Sequence, residues 1–333
     1  MPTTAAGTTT QHAVAAEARR GLTATPRSLS PWLFYDETGS HLFEQITQLP
    51  EYYLTRTERG IFATHAGEII KAAAGGTTRP LTLIELGAGT ATKTGLLLSA
   101  AVRQQGTIVY QPVDVSPTAL DQARESIEQR VPGVTVHPQT ADYTSEPLNF
   151  SRPRDARILA LYIGSSIGNF APEDAAGILR NLRAQLLPGD SLLLGVDLVP
   201  GPEKPAAALL AAYDDAAGVT AAFNRNILTR LNRDLGADFR LDAFRHQAIW
   251  NPAASRIEMH LCCLTPQTVH IPANSAGPAL TLSFAAGETI HTENSYKFTA
   301  AAVHHLLKTA GFIAVQSWHD ERRWFAVTLA TAV

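Results

Sequence analysis

Cysteine is almost missing from this chain of 333 residues: the only two are neighbours, Cys262 and Cys263, inside Met-His-Leu-Cys-Cys-Leu. A secreted disulfide scaffold needs several cysteines at spacings that let them pair, so these two are expected as reduced strand residues in a cytoplasmic protein. No apolar stretch approaches the ~18 residues that cross a bilayer, and the Thr/Ala/Gln-rich start lacks the basic-then-apolar order of a signal peptide. Neither sign of charge dominates, with 27 Lys and Arg against 30 Asp and Glu and no run of like charge. That balance argues against a nucleic-acid track or an acidic-lipid anchor and leaves a small molecule as the expected partner. The eleven histidines show no His-x-x-x-His and no Cys/His ligand spacing, so no metal is expected.

What is present is a soluble enzyme's composition, 45% hydrophobic, enough for two domains. Residues 83 to 95, Leu-Ile-Glu-Leu-Gly-Ala-Gly-Thr-Ala-Thr-Lys-Thr-Gly, end an apolar strand in an acid and a Gly-x-Gly turn that opens a helix. Glycines let backbone approach a ligand, and an acid just before them suits a cationic or hydroxylated group that a phosphate site would repel. The dinucleotide fingerprint fails at its third small position, where Thr92 stands, which disfavours a nicotinamide cofactor. S-adenosyl-L-methionine (AdoMet), a sulfonium without phosphate, fits better.

Residues 38 to 72 carry helical apolar spacing interrupted at Leu49-Pro50, because proline disfavours a helical residue before it. From Pro80, short apolar strands alternate with helices: Leu81 to Leu86, Thr107 to Asp114, Thr135 to Gln139, Ala156 to Ile163 and Ser191 to Asp197, with helices from about Lys93, Ser116 and Pro172. This alternation predicts a parallel sheet covered on both faces. The rhythm stops between Pro200 and about Lys297, where a helical stretch from Tyr213 to Leu235 precedes strand-like segments at Phe239 to Trp250 and Arg256 to Leu264. A helix (Phe298 to Ala310) and two strands joined by the charged turn His319 to Arg323 close the chain. Strands joined so tightly must run antiparallel. The order resembles the class I AdoMet-dependent methyltransferase architecture, an α/β, Rossmann-like, mostly parallel sheet ending in an antiparallel hairpin. The expected division is a flexible arm over 1–20, a discontinuous substrate-binding domain over 21–60 and 201–296, and an AdoMet-binding domain over 61–200 and 297–333.

Open parallel sheets bind ligands beyond the carboxyl ends of their strands. Glu85, Gly87 and Gly89 follow the first strand, Asp114 the second, Asp142 and Tyr143 the third, and the loop Gly164 to Asn169 the fourth. Asp114 suits a ribose diol and Asp142 an adenine amino group, although any one acid could instead be a helix cap. Asn169 stands where it would face the cofactor's methyl, or is turn chemistry after Gly168. Tyr52, Tyr53 and Tyr213 read first as core residues with the hydroxyl satisfied at a surface, and near a sulfonium they gain a second use as partners for a cation. Gly164-Ser165-Ser166-Ile167-Gly168 looks like Gly-x-Ser-x-Gly, but acyl transfer also needs a strained strand-to-helix Ser with a His and an acid later in the chain, and so short a motif matches often by chance.

One family shares a long ordered set of these motifs: Leu33-Phe34-Tyr35-Asp36-Glu37-Thr38-Gly39-Ser40, Leu49-Pro50-Glu51-Tyr52-Tyr53-x-Thr55-Arg56, Glu85-Leu86-Gly87-x-Gly89, Gly164-Ser165-x-Ile167-Gly168-Asn169-Phe170, Tyr213-Asp214-Asp215-x-x-Gly218-Val219-Thr220-x-x-Phe223-Asn224, and Thr292-Glu293-x-Ser295-x-Lys297-Phe298. From about Ser28 onward the chain resembles the L-histidine Nα-methyltransferase family of ergothioneine biosynthesis. The resemblance implies trimethylation of the α-amino group of L-histidine to hercynine, with S-adenosyl-L-homocysteine as the other product. It implies cofactor contacts at Gly87, Lys93, Asp114, Asp142 and Tyr143. For the amino-acid head group it points to Tyr52, Asn169 and Tyr213, with Tyr35 and Gly164 close by; Tyr35 and Tyr52 are the candidates nearest the reacting amine. For the imidazole it points to Met259, Glu293 and Ser295. The expected partner is L-histidine, with no nucleic acid and no membrane, and the chain is expected as a monomer, an oligomer remaining open. Two other readings stand beside it: a methyltransferase of the same scaffold acting on tryptophan or another amino acid, and a non-catalytic AdoMet-binding regulatory protein. Glu293 has a bland alternative too, a structural ion pair with Lys297 four residues on along a helix.

Overall fold

The computed structural model describes residues 5–77, 79–89, 91–144, 146, 148–273 and 277–333, with side chains from residue 11 onward. Thr90 in the Gly-x-Gly turn and residues 1–4 of the expected arm lie outside the described residues. The chain divides into two compact units, 1–53 with 205–295 and 54–204 with 296–333.

The first unit opens with helices α1 (Ala5–Leu22) and α2 (Glu37–Gln48). Asp36 caps α2, its carboxylate accepting from the Gly39 N–H at 2.8 Å, while Asn226 and Arg233 donate to the same carboxylate. Gly39 is required there, because a Cβ would lie 1.7 Å from the Phe34 carbonyl oxygen. Helix α3 (Tyr53–Ala74) starts at the boundary and belongs almost wholly to the second unit.

The second unit is the doubly wound body. Strands β1 (Leu81–Leu86), β2 (Ile108–Asp114), β3 (Val134–Val136), β4 (Gln139–Thr140), β5 (Arg157–Tyr162) and β6 (Ser191–Asp197) are separated by helices α4 (Thr94–Gln105), α5 (Pro117–Arg130) and α6 (Pro172–Arg183). Every residue of β1 and β6 is buried, the consequence of apolar runs with helices on both sides.

After β6 the chain returns to the first unit with α7 (Ala206–Ala211) and α8 (Val219–Leu235). Strands β7 (Phe244–Asn251), β8 (Arg256–Cys263) and β11 (Thr289–Tyr296) make one sheet in the order β11-β8-β7, and β9 (Gln267–Ile271) and β10 (Leu280–Phe284) a separate hairpin. Helix α9 (Ala300–Thr309) and strands β12 (Phe312–His319) and β13 (Phe325–Ala332) complete the second unit. Its sheet order is β12-β13-β6-β5-β1-β2-β3, parallel from β6 to β3, with β13 antiparallel to both neighbours. The Asp320 carboxylate closes the last turn by accepting backbone N–H groups of Arg322, Trp324 and Phe325 at 3.1, 2.7 and 2.8 Å. This is the class I methyltransferase order.

The sequence reading needs correction in several places. A segment expected as one strand, Thr135 to Gln139, is two short ones, β3 and β4. The helix expected from Tyr213 begins at Val219, because Asp215 caps it by accepting from the Val219 and Thr220 N–H groups. Strand β7 begins at Phe244, and β9, β10 and β11 carry weak apolar alternation that did not mark them as strands. The N-terminal segment is not a loose arm over 5–20: it is helical, and Val14, Ala15, Ala18 and Leu22 are buried in the first unit. Its alanine-rich composition disguised the apolar stripe. Cys262 and Cys263 are free thiols in β8, and no helix among the described residues is long and apolar enough to cross a membrane.

Leu22, fully buried, tests the helical docking. Leu22→Ala should lower stability by about 2 to 5 kcal/mol as a large-to-small core change. A urea midpoint indistinguishable from wild type would restore the loose arm.

Candidate active site

In the second unit the glycine turn after β1 is held against the end of β2. The Gly87 and Ala88 N–H groups donate to the Val113 carbonyl at 2.9 and 3.1 Å, and the Gly89 N–H donates to Asp114 Oδ2 at 2.9 Å. Asp114 Oδ1 accepts from the Ser116 N–H at 2.9 Å, so two turns pin one half-buried carboxylate. Each oxygen keeps a lone pair for a ligand hydroxyl. Gly87 and Gly89 both have positive φ, +66° and +50°. A Cβ on Gly87 would stand 3.3 Å from the Tyr143 hydroxyl, which brings these two predicted cofactor residues together, whereas a Cβ on Gly89 meets nothing within 4 Å among the described residues.

Glu85 does not face that opening. It is buried, accepting from Thr94 Oγ1 at 2.7 Å and from the Tyr110 hydroxyl. Burial pushes its carboxyl up to about 7 against the pull of those two donors, and burial likewise raises the Tyr110 phenol. The acid before the glycines therefore braces the strand ends, and Asp114 and Asp142 are the carboxylates that stand at the end of β2 and just after β4. Asp142 also caps its own turn, Oδ1 accepting from the Thr144 N–H and hydroxyl at 2.9 and 2.5 Å. Tyr143 stacks edge-on with Tyr162 at 5.6 Å.

Lys93 forms an ion pair with Glu58 of α3, and Glu58 accepts the Gly164 N–H at 2.9 Å. The loop after β5 is thus tied to the loop after β1. Ser165, at φ +60°, accepts from the Asp197 N–H at 2.9 Å, and the Ser166 hydroxyl donates to the Ile163 carbonyl at 3.1 Å. Both serines serve the loop. Asn169 ends the short 3-10 helix Ser166–Asn169, half-buried, with its amide in no hydrogen bond among the described residues. Asp197, wholly buried at the end of β6, pairs with Lys204 at 2.5 Å and Lys297 at 3.1 Å. Burial lowers the Lys204 ammonium to about 8.

The first unit carries the aromatic candidates. Tyr35 packs edge-on against Phe43 at 5.8 Å, Phe43 against Tyr52 at 6.3 Å, and Tyr52 against Tyr213 at 6.3 Å. The Tyr213 and Ser295 hydroxyls share a buried hydrogen bond of 2.8 Å. Tyr35 is 42% exposed, Tyr52 only 9%, so the row runs from surface to interior. Beneath it lies a neutral polar network. His246 Nε2 meets the Tyr213 carbonyl at 2.8 Å, its Nδ1 meets Asn224 Nδ2 at 2.8 Å, and the single proton of Thr292 Oγ1 is shared between Asn224 Oδ1 and the Met259 carbonyl, at 2.8 and 3.0 Å. Nε2 carries the proton, as the carbonyl can only accept, and burial lowers the His246 pKa. This network joins the β8 strand of Met259 to the β11 strand of Glu293 and Ser295. Glu293 lies on strand β11, so the helical setting expected for a pair with Lys297 does not arise, and Lys297 pairs with Asp197.

Sequence inspection missed Glu58, Asn224 and His246 as organising residues. Glu58 had a signal: with Leu54, Ile61, Phe62, Ala66 and Ile69 it occupies one helical stripe, an acid where apolar residues belong. Asn224 similarly interrupts the buried stripe of Phe223, Ile227 and Leu231. His246 had none. No cluster of His, Cys, Asp and Glu among the described residues could hold a metal ion.

The sequence matches, over residues 14–332, the family described as histidine-specific, SAM-dependent methyltransferases. It is 46% identical to the histidine N-alpha-methyltransferase of Mycolicibacterium smegmatis, covering 94% of this chain and 93% of that one. Identity to the Mycobacterium tuberculosis protein of the same name is 44%, covering 93% and 92%. A Neurospora crassa protein named ergothioneine biosynthesis protein 1 is 30% identical over 88% of this chain and 32% of its own length.

Glu85 makes stability depend on pH. Its folded carboxyl is raised to about 7 from 4.5, so the folded chain holds the proton more tightly than the unfolded chain. The contribution is complete below the unfolded value and is lost as pH rises towards the folded one, a change on the order of 3 kcal/mol. Glu85→Gln, neutral throughout and still an acceptor for Tyr110, should flatten that decline in unfolding free energy. Parallel pH profiles for the two proteins would remove the raised carboxyl from the account.

Proposed function

This chain belongs to the SAM-dependent, histidine-specific methyltransferase family, and from that membership we propose that it trimethylates the α-amino group of L-histidine to hercynine, the methylation in ergothioneine biosynthesis. The observation that carries the reading is identity of 46% to a histidine N-alpha-methyltransferase across 94% of the chain. The local geometry supports it: a glycine turn open at Gly89 beside a pinned carboxylate at Asp114 suits a nucleoside with a free diol and no phosphate.

AdoMet supplies an electrophilic methyl group on a sulfonium. In this proposal Gly87 and Gly89 admit the nucleoside, Asp114 accepts from its ribose hydroxyls, Asp142 and Tyr143 border the adenine, and Lys93 meets its anionic end. The same proposal assigns the amino-acid head group to Tyr52 and Tyr213, with Tyr35, of the first unit and to Asn169, with Gly164, of the second, and Asn169 brings an amide in no hydrogen bond among the described residues. Met259, Glu293 and Ser295 receive the imidazole. Displacement by a neutral amine needs alignment and no covalent enzyme intermediate, which agrees with serines committed to loop structure. Tyrosine faces tolerate the growing fixed cation. The partner in this proposal is the small molecule L-histidine, and near-balanced charge supports action without nucleic acid or an acidic membrane surface; the chain is proposed to act as a cytoplasmic monomer.

With excess AdoMet, mass spectrometry should find histidine carried to the trimethylated product; accumulation at monomethylhistidine would sink the aromatic account. Glu293 is expected to accept an imidazole N–H while Ser295 serves the ring's other polar edge. Glu293→Ala should lose about 1.5 to 3 kcal/mol of histidine recognition, roughly a ten- to hundredfold fall in kcat/KM, while tryptophan loses less or gains. Steady-state kinetics on both amino acids decide it: an unchanged histidine-to-tryptophan ratio means that Glu293 does not select the substrate.

A further inference from the structure

Helix α3 buries one face through Leu54, Ile61, Phe62, Ala66, Ile69 and Ile70, and Glu58 stands in the middle of that face with no exposed surface. A carboxylate in such a place is costly unless it is paired and hydrogen-bonded. Its partners come from two loops at the strand ends. Lys93, after the glycine turn, forms the ion pair, and the Gly164 N–H, after β5, donates to both oxygens at 2.9 and 3.0 Å. The backbone is shaped around the pair: a Cβ on Gly195 would lie 2.1 Å from Glu58 Oε1, and one on Gly164 3.2 Å from Lys93 Nζ. The two charges are not equally deep, the Glu58 side chain being 0% exposed and that of Lys93 20%. The outward-facing member is the cation, and an ammonium has three donors, more than one carboxylate uses.

We propose that Glu58 is a positioning residue for the methyl donor, holding the Lys93 ammonium beside Gly164 so that it meets the α-carboxylate of the donor's methionine moiety. This rests on the AdoMet reading of the second unit. The acids at these strand ends, Asp114 and Asp142, suit hydroxyl and amino groups, which leaves Lys93 to complement the one anionic group that AdoMet carries. Free of Glu58, the flexible lysine stem would have to be ordered at each binding event, and the ammonium would face water instead. The same clamp fixes Gly164, so the loop carrying Asn169 keeps its place relative to Lys93.

Two ligands separate positioning from mere support. S-adenosylhomocysteine carries the carboxylate; 5′-methylthioadenosine has the same nucleoside and sulfur without it. Calorimetry on the full chain should show Glu58→Gln weakening S-adenosylhomocysteine about tenfold or more, with 5′-methylthioadenosine changed less than about threefold. Lys93→Ala should show the same selectivity, and the double variant should lose no more than either single one. Glu58→Asp, which keeps the charge but shortens its reach, should fall between wild type and Glu58→Gln for S-adenosylhomocysteine only. Should Glu58→Gln melt below the assay temperature, Glu58→Asp and Lys93→Ala carry the comparison. Equal weakening of both ligands, no weakening, or additive losses in the double variant would overturn the proposal. Wild-type protein that binds neither ligand would instead overturn the AdoMet reading itself.

Discussion

Five strands running the same way are the constraint on which the second unit depends. Because β3, β2, β1, β5 and β6 are in parallel register, all of them release the chain at one edge of the sheet. The glycine turn, Asp114, the Gly164 loop and Asp197 leave from that edge, with Asp142 and Tyr143 just beyond β4. A parallel sheet is covered on both faces, so the strands themselves are nearly all apolar and the chemistry is confined to their ends.

At that edge carboxylates are immobilised by the fold's own donors. Asp114 is pinned by two backbone N–H groups, Glu85 by Thr94 and Tyr110, Asp197 by two lysines, and Asp142 by Thr144. Groups held before a ligand arrives need little ordering when it does, which is where preorganised sites gain affinity. Glu85 shows the limit of reading charge by position. It precedes the glycines, yet its carboxylate points at Tyr110 and Thr94, and burial raises its pKa to about 7.

The first unit solves a different problem with different groups. Apart from Glu293, its candidates are aromatic or neutral: Tyr35, Phe43, Tyr52 and Tyr213 stand in edge-on contact, with Asn224, His246 and Thr292 behind them. A buried neutral network of this kind specifies one arrangement only if every member is satisfied, and here the Tyr213 carbonyl and the Met259 carbonyl supply the last acceptors. The imidazole tautomer of His246 follows from those partners.

Much of this was determined by the sequence alone. The uninterrupted apolar runs at Leu81 to Leu86 and Ser191 to Asp197 were legible as parallel strands, and the tight turn after His319 as a final reversal, because period and loop length are local quantities. Local chemistry also marked Gly87, Asp114 and the Gly164 loop as residues at strand ends. The helix of residues 5–22, strands β9 to β11 and the inward turn of Glu85 were not legible, since an alanine-rich stripe, short mixed strands and an acid beside glycines carry no local signal that tells their partners. Glu58 and Lys93 are 35 residues apart and Asn224 and Thr292 are 68, and no local period links either pair. Only the tertiary structure decided which buried polar group meets which, because the penalty for leaving a charge or an amide unpaired is settled by whatever the packing brings alongside it.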